Sequence, residues 1–80
     1  MTVTVLLFAS YADALGRSSV ELDVGEGAVV GDVLRRIQGG PGGERLPPRP
    51  LVAVNQCYAD LADRLHSGDE VALIPPVAGG

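Results

Sequence analysis

The residues best placed to do chemistry stand at the end of the chain, where two prolines precede four small residues. Pro75 and Pro76 have a fixed φ angle and no backbone N–H, so they end sheet pairing and favour an extended backbone. The residues after them are Val77, Ala78, Gly79 and Gly80. Four extended residues reach about 13 Å, and glycine fits channels that a Cβ would block. The pattern predicts an arm that delivers the Gly80 carboxylate into another protein's active site; the alternative is an ordinary frayed terminus.

Few other side chains are suited to catalysis or metal binding. His66 is the only histidine and Cys57 the only cysteine, so they form neither a metal set nor an internal disulfide. A nucleophilic pair of Cys57 and His66 is conceivable, but the strand-like surroundings of Cys57 favour a packing role. The sequence has no G-x-G-x-x-G motif, no P-loop and no lysine. We therefore expect no catalytic set, no metal and no bound cofactor in this chain, and any nucleotide must come from a partner.

Composition limits the class of protein. Eighty residues with 46% hydrophobic content favour one folded domain. The net charge of −4 argues against nucleic acid or an anionic membrane as the main partner. The N-terminus lacks a basic signal-peptide start, and no apolar run approaches about 18 residues. We expect a cytoplasmic domain that binds neither nucleic acid nor membrane.

Alternation of apolar and polar residues, together with apolar runs, predicts the strands. Alternation covers residues 2–8 and 19–24, and apolar runs mark further strands over 51–55 and 70–74, with a short edge strand over 57–59. The short connection between the first two strands favours their antiparallel pairing.

One long helix is predicted between the second and third strands, ended by a Gly-Gly-Pro sequence. Its apolar stripe consists of Val30, Val33, Leu34 and Ile37. A short helical turn should follow the first strand, with Ser10 as N-cap and Gly16 as terminator. Leu61 and Leu65 are expected to be buried as plugs under the loop before the last strand.

These elements describe an α+β domain with a helix on one sheet face. A domain with one long helix leaves the other face open. Alternation places Phe8 and Ile74 on that face, and Tyr58 could join them from the edge strand. Apolar residues on an open face indicate a docking patch. The alternative is that they extend the core at the ends of the sheet.

With these elements placed, the sequence resembles the ubiquitin-like β-grasp sulfur carriers, and among them the small subunits of molybdopterin synthase. Three stretches carry the resemblance: V-L-L-F-A at 5–9, V-A-V-N-Q at 52–56, and the ending G-D-E-V-A-L-I-P-P-V-A-G-G at 68–80. The resemblance implies a mixed sheet of four to five strands with one long helix packed on one face. It also implies a β-grasp domain over 1–76 and a flexible tail over 77–80.

The same resemblance implies a tail chemistry. An ATP-dependent, E1-like enzyme would adenylate the Gly80 carboxylate, and sulfur transfer would convert it to a thiocarboxylate. The tail would then enter the large catalytic subunit of molybdopterin synthase, within a heterotetramer, and pass sulfur to cyclic pyranopterin monophosphate. The positions that match the family's partner-contacting residues are Phe8, Tyr58, Ile74, Pro75 and Pro76.

Other functions stay open at this point. A sulfur carrier of the same fold could serve thiazole, cysteine or tRNA thiolation, although the double proline argues against the thiazole type and less firmly against the cysteine type. A ubiquitin-like modifier joined to protein lysines and a plain interaction module are further alternatives. The fate of Gly80 separates them, because it ends as a thiocarboxylate, in an isopeptide bond, or unmodified.

Overall fold

A computed structural model describes residues 1–45 and 50–75. In order, its elements are β1 (Thr2–Leu7), α1 (Ala9–Leu15), β2 (Ser19–Asp23), α2 (Val30–Gln38), a 3-10 turn (Gly43–Arg45), β3 (Leu51–Val54), β4 (Cys57–Tyr58) and β5 (Glu70–Ile74). The predicted strands and the long helix are confirmed, with bounds that differ by a residue or two. The expected short helical turn is a complete second helix, α1.

The strands form one mixed sheet in the order β2-β1-β5-β3-β4. β1 and β5 run parallel at its centre, whereas β2 pairs antiparallel with β1 as predicted, and β3 pairs antiparallel with both β5 and β4. The predicted α+β class and mixed sheet of four to five strands are therefore confirmed, with five strands found. The last strand of the described chain occupies the middle of the sheet.

The core lies between one face of the sheet and the helices. Val5 and Leu7 on β1 are paired with Val71 and Leu73 on β5, and all four are almost fully buried. The stripe of α2 closes over these rows with Val30, Val33, Leu34 and Ile37. Since these residues take up the apolar side of α2, the helix packs on this face, and in the described part of the chain α2 does not cover the opposite face.

The start of α1 differs from the prediction. The helix begins at Ala9, so Phe8 rather than Ser10 is its N-cap, without a side-chain capping bond. Ala9 has a φ of 48°, a left-handed conformation that turns the chain out of β1 directly into the helix. Gly16 ends α1 as predicted, with a φ of 73° and its N–H donating to the Ala12 carbonyl over 2.8 Å.

Only one of the two predicted plugs is buried. Leu65 belongs to the core, but the Leu61 side chain is 51% exposed, so that prediction was wrong. The Leu61 backbone makes the contact instead, because its carbonyl accepts a 2.9 Å hydrogen bond from the Gly31 N–H at the start of α2. This hydrogen bond gives a partner to a backbone N–H in the first turn of α2, and it does not require the Leu61 side chain to be buried.

Candidate functional site

The sheet face opposite α2 carries a row of apolar residues that crosses four strands. The register places Leu6 beside Ala72, Ala72 beside Ala53, and Ala53 beside Tyr58. Ala53 is buried yet does not belong to the core cluster. The row is therefore a second apolar layer, separate from the core beneath α2.

A second row lies at the end of the sheet where β5 finishes. Leu51 is paired with Ile74, and Phe8 follows the Leu7–Leu73 pair, which puts it next to Ile74 on the other side. Phe8 is 46% exposed and Leu51 45% exposed. We call the two rows together the open-face patch. It consists of Leu6, Phe8, Leu51, Ala53, Tyr58, Ala72 and Ile74.

The open-face patch holds most of the large exposed apolar side chains in the described chain. Among residues 1–45 and 50–75 these are Phe8, Leu51, Tyr58 and Leu61, and only Leu61 lies elsewhere. Tyr58 is 78% exposed although it lies in a strand. Clustering of such residues on one face is typical of an interaction surface.

Sequence reasoning found part of the open-face patch. The structure brings the three predicted residues Phe8, Tyr58 and Ile74 onto one face, while their role in binding stays a prediction. The sequence prediction did not include the other four residues of the patch, which are Leu6, Leu51, Ala53 and Ala72. A signal for them was present in the sequence. In β1, β3 and β5 the residues that alternate with the core-facing ones are largely apolar, whereas a strand face exposed to solvent is normally polar.

The chain leaves the sheet at the edge of this patch. β1 and β5 run parallel and β3 runs antiparallel to them, so the ends of β1 and β5 and the start of β3 lie at the same end of the sheet. Phe8, Ile74 and Leu51 therefore lie side by side there. Pro75, the last described residue, is half-buried there. The predicted tail and Pro76 lie outside the described residues: Pro76, Val77, Ala78, Gly79 and Gly80.

A hydrogen-bonded network fixes the entry of β5 at the other end. Asn55 Nδ2 donates to Asp69 Oδ1 over 3.0 Å, and the Glu70 N–H donates to Asn55 Oδ1 over 3.0 Å. The His66 N–H donates to Asp69 Oδ2 over 2.7 Å. The hydrogen bond from Asn55 is the main cause, and that from the His66 backbone the second, of an Asp69 pKa below its ordinary value. The network ties the start of β5 to the end of β3.

Catalytic groups do not converge on this surface. Cys57 is exposed on β4, so the packing role predicted for it was wrong. His66 Nδ1 lies 3.8 Å from Asp69 Oδ2 at an exposed turn, a distance beyond a hydrogen bond. Within the described ranges, no three histidine, cysteine or carboxylate side chains come together as metal ligands. No helix in that part of the chain is long and apolar enough to cross a membrane.

Comparison with known proteins gives a family and a fold. The model of the ThiS family matches residues 5–80. The molybdopterin synthase sulfur carrier subunit of Chlamydomonas reinhardtii is 35% identical, with all of both chains covered. Small archaeal modifier protein 1 of Haloferax volcanii is 38% identical over 92% of this chain and 95% of the relative.

The fold is also that of a solved structure. The crystal structure of SAMP1 from Haloferax volcanii superposes with a TM-score of 0.87 at 32% identity, and all of both chains is covered. The predicted ubiquitin-like β-grasp fold is thereby confirmed.

Proposed function

The chain belongs to the ThiS family, and from this premise we propose that it is the sulfur carrier subunit of a molybdopterin synthase. The observation that carries the proposal is the open-face patch beside the exit of β5. An apolar docking surface next to the departing C-terminal segment suits a protein that presents its end to a partner. The Chlamydomonas relative matched along its full length bears the same function in its name.

The chemistry proposed for Gly80 has two activating steps. Its carboxylate attacks the α-phosphate of ATP on an activating enzyme, which releases pyrophosphate and leaves an acyl adenylate. A sulfur nucleophile at the oxidation level of hydrosulfide then attacks the carbonyl carbon, AMP leaves, and a thiocarboxylate forms. Activation is required because a free carboxylate is a poor electrophile.

The thiocarboxylate then acts as the sulfur donor. Its sulfur forms a bond to a carbon of cyclic pyranopterin monophosphate in the large subunit while the C–O bond at that carbon breaks, and the oxygen leaves with the electron pair of that bond. Water then cleaves the acyl–sulfur bond, which returns the Gly80 carboxylate and leaves the sulfur on the pterin. Docking through the open-face patch makes this transfer effectively intramolecular, so a high local concentration replaces affinity for free sulfide. In this proposal Val77 occupies an apolar notch while Ala78, Gly79 and Gly80 enter a narrow channel.

The test follows Gly80 by intact mass. With activating enzyme, ATP and a sulfur source, the protein should gain the mass of one sulfur-for-oxygen exchange. Mixed with the large subunit and cyclic pyranopterin monophosphate, it should then yield molybdopterin and consume one thiocarboxylate per sulfur inserted. Deleting Gly80, or appending one alanine, should abolish loading while the thermal unfolding curve stays unchanged. Loading of the extended protein would contradict the proposal.

A second variant separates docking of the tail from its activation. Val77→Asp should slow sulfur transfer, because it places a charge in an apolar notch, but should leave adenylation in place. Val77→Ile is the matched control that keeps the apolar character. If the aspartate variant transfers sulfur at the normal rate, the notch does not exist.

A second function is favoured by one comparison. Small archaeal modifier protein 1 is 38% identical to this chain, and a modifier would use the same adenylate to form an isopeptide bond. Since the chain has no lysine, the acceptor lysine would belong to another protein. Isolation from the native host of conjugates joined through Gly80, with no dithiolene formed in the reconstituted mixture, would replace the first proposal with this one.

A further inference from the structure

A groove on the helix side of the domain is not used by the proposed function. It encloses about 310 Å³ between β2 and the helices. Its apolar wall includes Leu15, Val20, Leu22 and Ile37, with Arg17 and Arg36 among the lining residues. The first three of the apolar residues are only partly buried, so the apolar wall is accessible from solvent.

The strand beside this groove has an unpaired outer edge. Met1 and Val24 exchange both backbone hydrogen bonds, at 2.8 and 2.7 Å. In an antiparallel ladder such pairs alternate with pairs whose N–H and C=O groups point outward. The register therefore turns the backbone groups of Ser19 and Glu21 away from β1. In residues 1–45 and 50–75 no backbone hydrogen bond to another element uses them.

The two faces of the sheet carry opposite charge at this edge: Arg17 and Arg36 line the groove on the helix side, and Glu21 and Asp23 lie on the opposite face. Arg36 donates to the Asp23 carbonyl over 3.1 Å, so its guanidinium covers the end of the edge and leaves Ser19 and Glu21 open. The Arg17 side chain has no hydrogen bond or ion pair in the described part of the chain. The side chains of Glu21 and Asp23 alternate with those of Val20 and Leu22 and so lie on the opposite face.

We propose that the β2 edge and its groove bind an extended peptide segment of a partner protein that adds a sixth strand to the sheet. The segment pairs with the backbone groups of Ser19 and Glu21, which gives affinity, while alternate side chains give specificity. On the groove side it places an apolar side chain against Val20 and Leu22, with acidic residues on either side of it near Arg17 and Arg36. Between them stand basic residues on the other face, one of which lies opposite Glu21.

A second copy of this chain is a poor partner for this edge in the register centred on Glu21. If two β2 strands paired antiparallel about that residue, the Glu21 side chain of each would lie opposite its counterpart. Like charges directly opposite one another destabilise a strand pair. The alternating charge of the edge therefore favours a segment of complementary sequence.

The proposed segment and the open-face patch could be occupied together. The patch spans β1, β5, β3 and β4 on the face opposite α2, whereas the groove lies on the helix side beyond β2. This inference does not rest on the sulfur carrier function, because it uses neither Gly80 nor the open-face patch. Its failure would leave that proposal unchanged.

The experiment titrates the isotope-labelled full chain with two synthetic peptides and follows the amide signals by NMR. The first peptide has a central valine, lysine at the two adjacent positions and aspartate at the next two. The second has the same composition with lysine and aspartate exchanged. The first should shift the Ser19 and Glu21 amide signals saturably and slow their hydrogen exchange, and the second should bind at least about tenfold more weakly.

Two matched variants test the charge at the groove. Arg17→Glu should weaken binding of the first peptide at least about tenfold, while Arg64→Glu, at an exposed site remote from the groove, should not change it. Both should retain the amide spectrum of the folded domain and normal thiocarboxylation of Gly80.

Three results would overturn the proposal. One is the absence of a saturable shift at millimolar peptide, and another is equal affinity for the two peptides. The third is sedimentation of the unliganded protein as a dimer with the Ser19 and Glu21 amides protected, which would assign the edge to a second copy.

Discussion

Asn55 and Asp69 join the end of β3 to the start of β5 through a 3.0 Å hydrogen bond between their side chains. The carboxylate of Asp69 also accepts from the His66 backbone, so both of its oxygens are occupied. This bonding favours the ionised form and lowers the Asp69 pKa. A group whose pKa is lower in the folded state contributes stability above its unfolded pKa and loses it as the pH falls.

The domain should therefore lose stability as the pH falls from about 5 to about 2. In Asp69→Asn, an NH2 group that cannot accept a hydrogen bond replaces one carboxylate oxygen, so this variant should be less stable at neutral pH and show a flatter acid profile. The measurement is urea unfolding at several pH values. Asp13→Asn, on the exposed face of α1, is the control. A wild-type slope retained in the Asp69 variant would show that other carboxylates dominate acid unfolding.

The open-face patch should behave as an interface rather than as core. Phe8→Arg is expected to weaken binding to the large synthase subunit by about 2 kcal/mol or more, as for a central interface anchor. The circular dichroism spectrum should stay native, because Phe8 is 46% exposed. Titration calorimetry measures the effect.

Leu61→Arg is the matched control for the patch. Leu61 is also exposed but lies outside the open-face patch, so its variant should bind normally. Equal losses in the two variants would mean that general surface charge, and not the patch, determines affinity. An unfolded Phe8 variant would show that Phe8 belongs to the core.

The glycines after α2 should differ sharply in their tolerance of a side chain. A Cβ at Gly43 would collide with the backbone carbonyls of Gln38 and Ile37. At Gly40 its nearest neighbours, the carbonyls of Arg36 and Ile37, lie at an ordinary 3.6 Å. We expect Gly43→Ala to cost at least about 2 kcal/mol of unfolding free energy and Gly40→Ala less than about 1 kcal/mol. Thermal unfolding compares the two, and equal losses would contradict the packed geometry.

The turn between β3 and β4 can be improved. Asn55 and Gln56 have φ angles of 49° and 72° between the paired residues Val54 and Cys57. A two-residue hairpin of this kind favours asparagine followed by glycine, because left-handed backbone is unfavourable for a side chain such as that of Gln56. Gln56→Gly should raise the unfolding free energy by about 0.5–1 kcal/mol. Gln56→Ala, which keeps a Cβ, should give no such gain in chemical denaturation.

Tyr11 carries a hydroxyl that the core does not need. The side chain is almost fully buried, and its oxygen has no hydrogen-bond partner in the described chain. Tyr11→Phe should therefore leave stability unchanged or raise it by up to about 1 kcal/mol, whereas Tyr11→Ala should lower it by about 3–5 kcal/mol.

The same burial predicts an alkaline effect. Desolvation raises the Tyr11 pKa above its ordinary 10.0, so the wild type should lose stability as the pH rises above that value. Tyr11→Phe should lose less over the same range. A destabilised Tyr11→Phe at neutral pH would reveal a partner for the hydroxyl.

The sequence by itself determined the local structure and the kind of chemistry available. Alternation marked β1 and β2, apolar runs marked β3 and β5, helical spacing marked α2, and the dipeptide after β3 marked a turn. Each of these signals arises from neighbouring residues, whose side-chain directions follow from backbone periodicity alone. The prolines and glycines at residues 75–80 predict a tail reaction, which stays a prediction because residues 76–80 lie outside the described part of the chain.

Tertiary structure decided which of these residues meet. The open-face patch exists because β1 lies parallel to β5 and β3 lies antiparallel on its other side, which brings together residues 8, 51 and 74. Within residues 1–45 and 50–75, the same pairing leaves β2 at the edge of the sheet beside the groove. It also settled burial where local pattern misled, since Leu61 and Cys57 are exposed. Periodicity gives a side chain its direction, but only the long-range pairing of strands determines what lies in that direction.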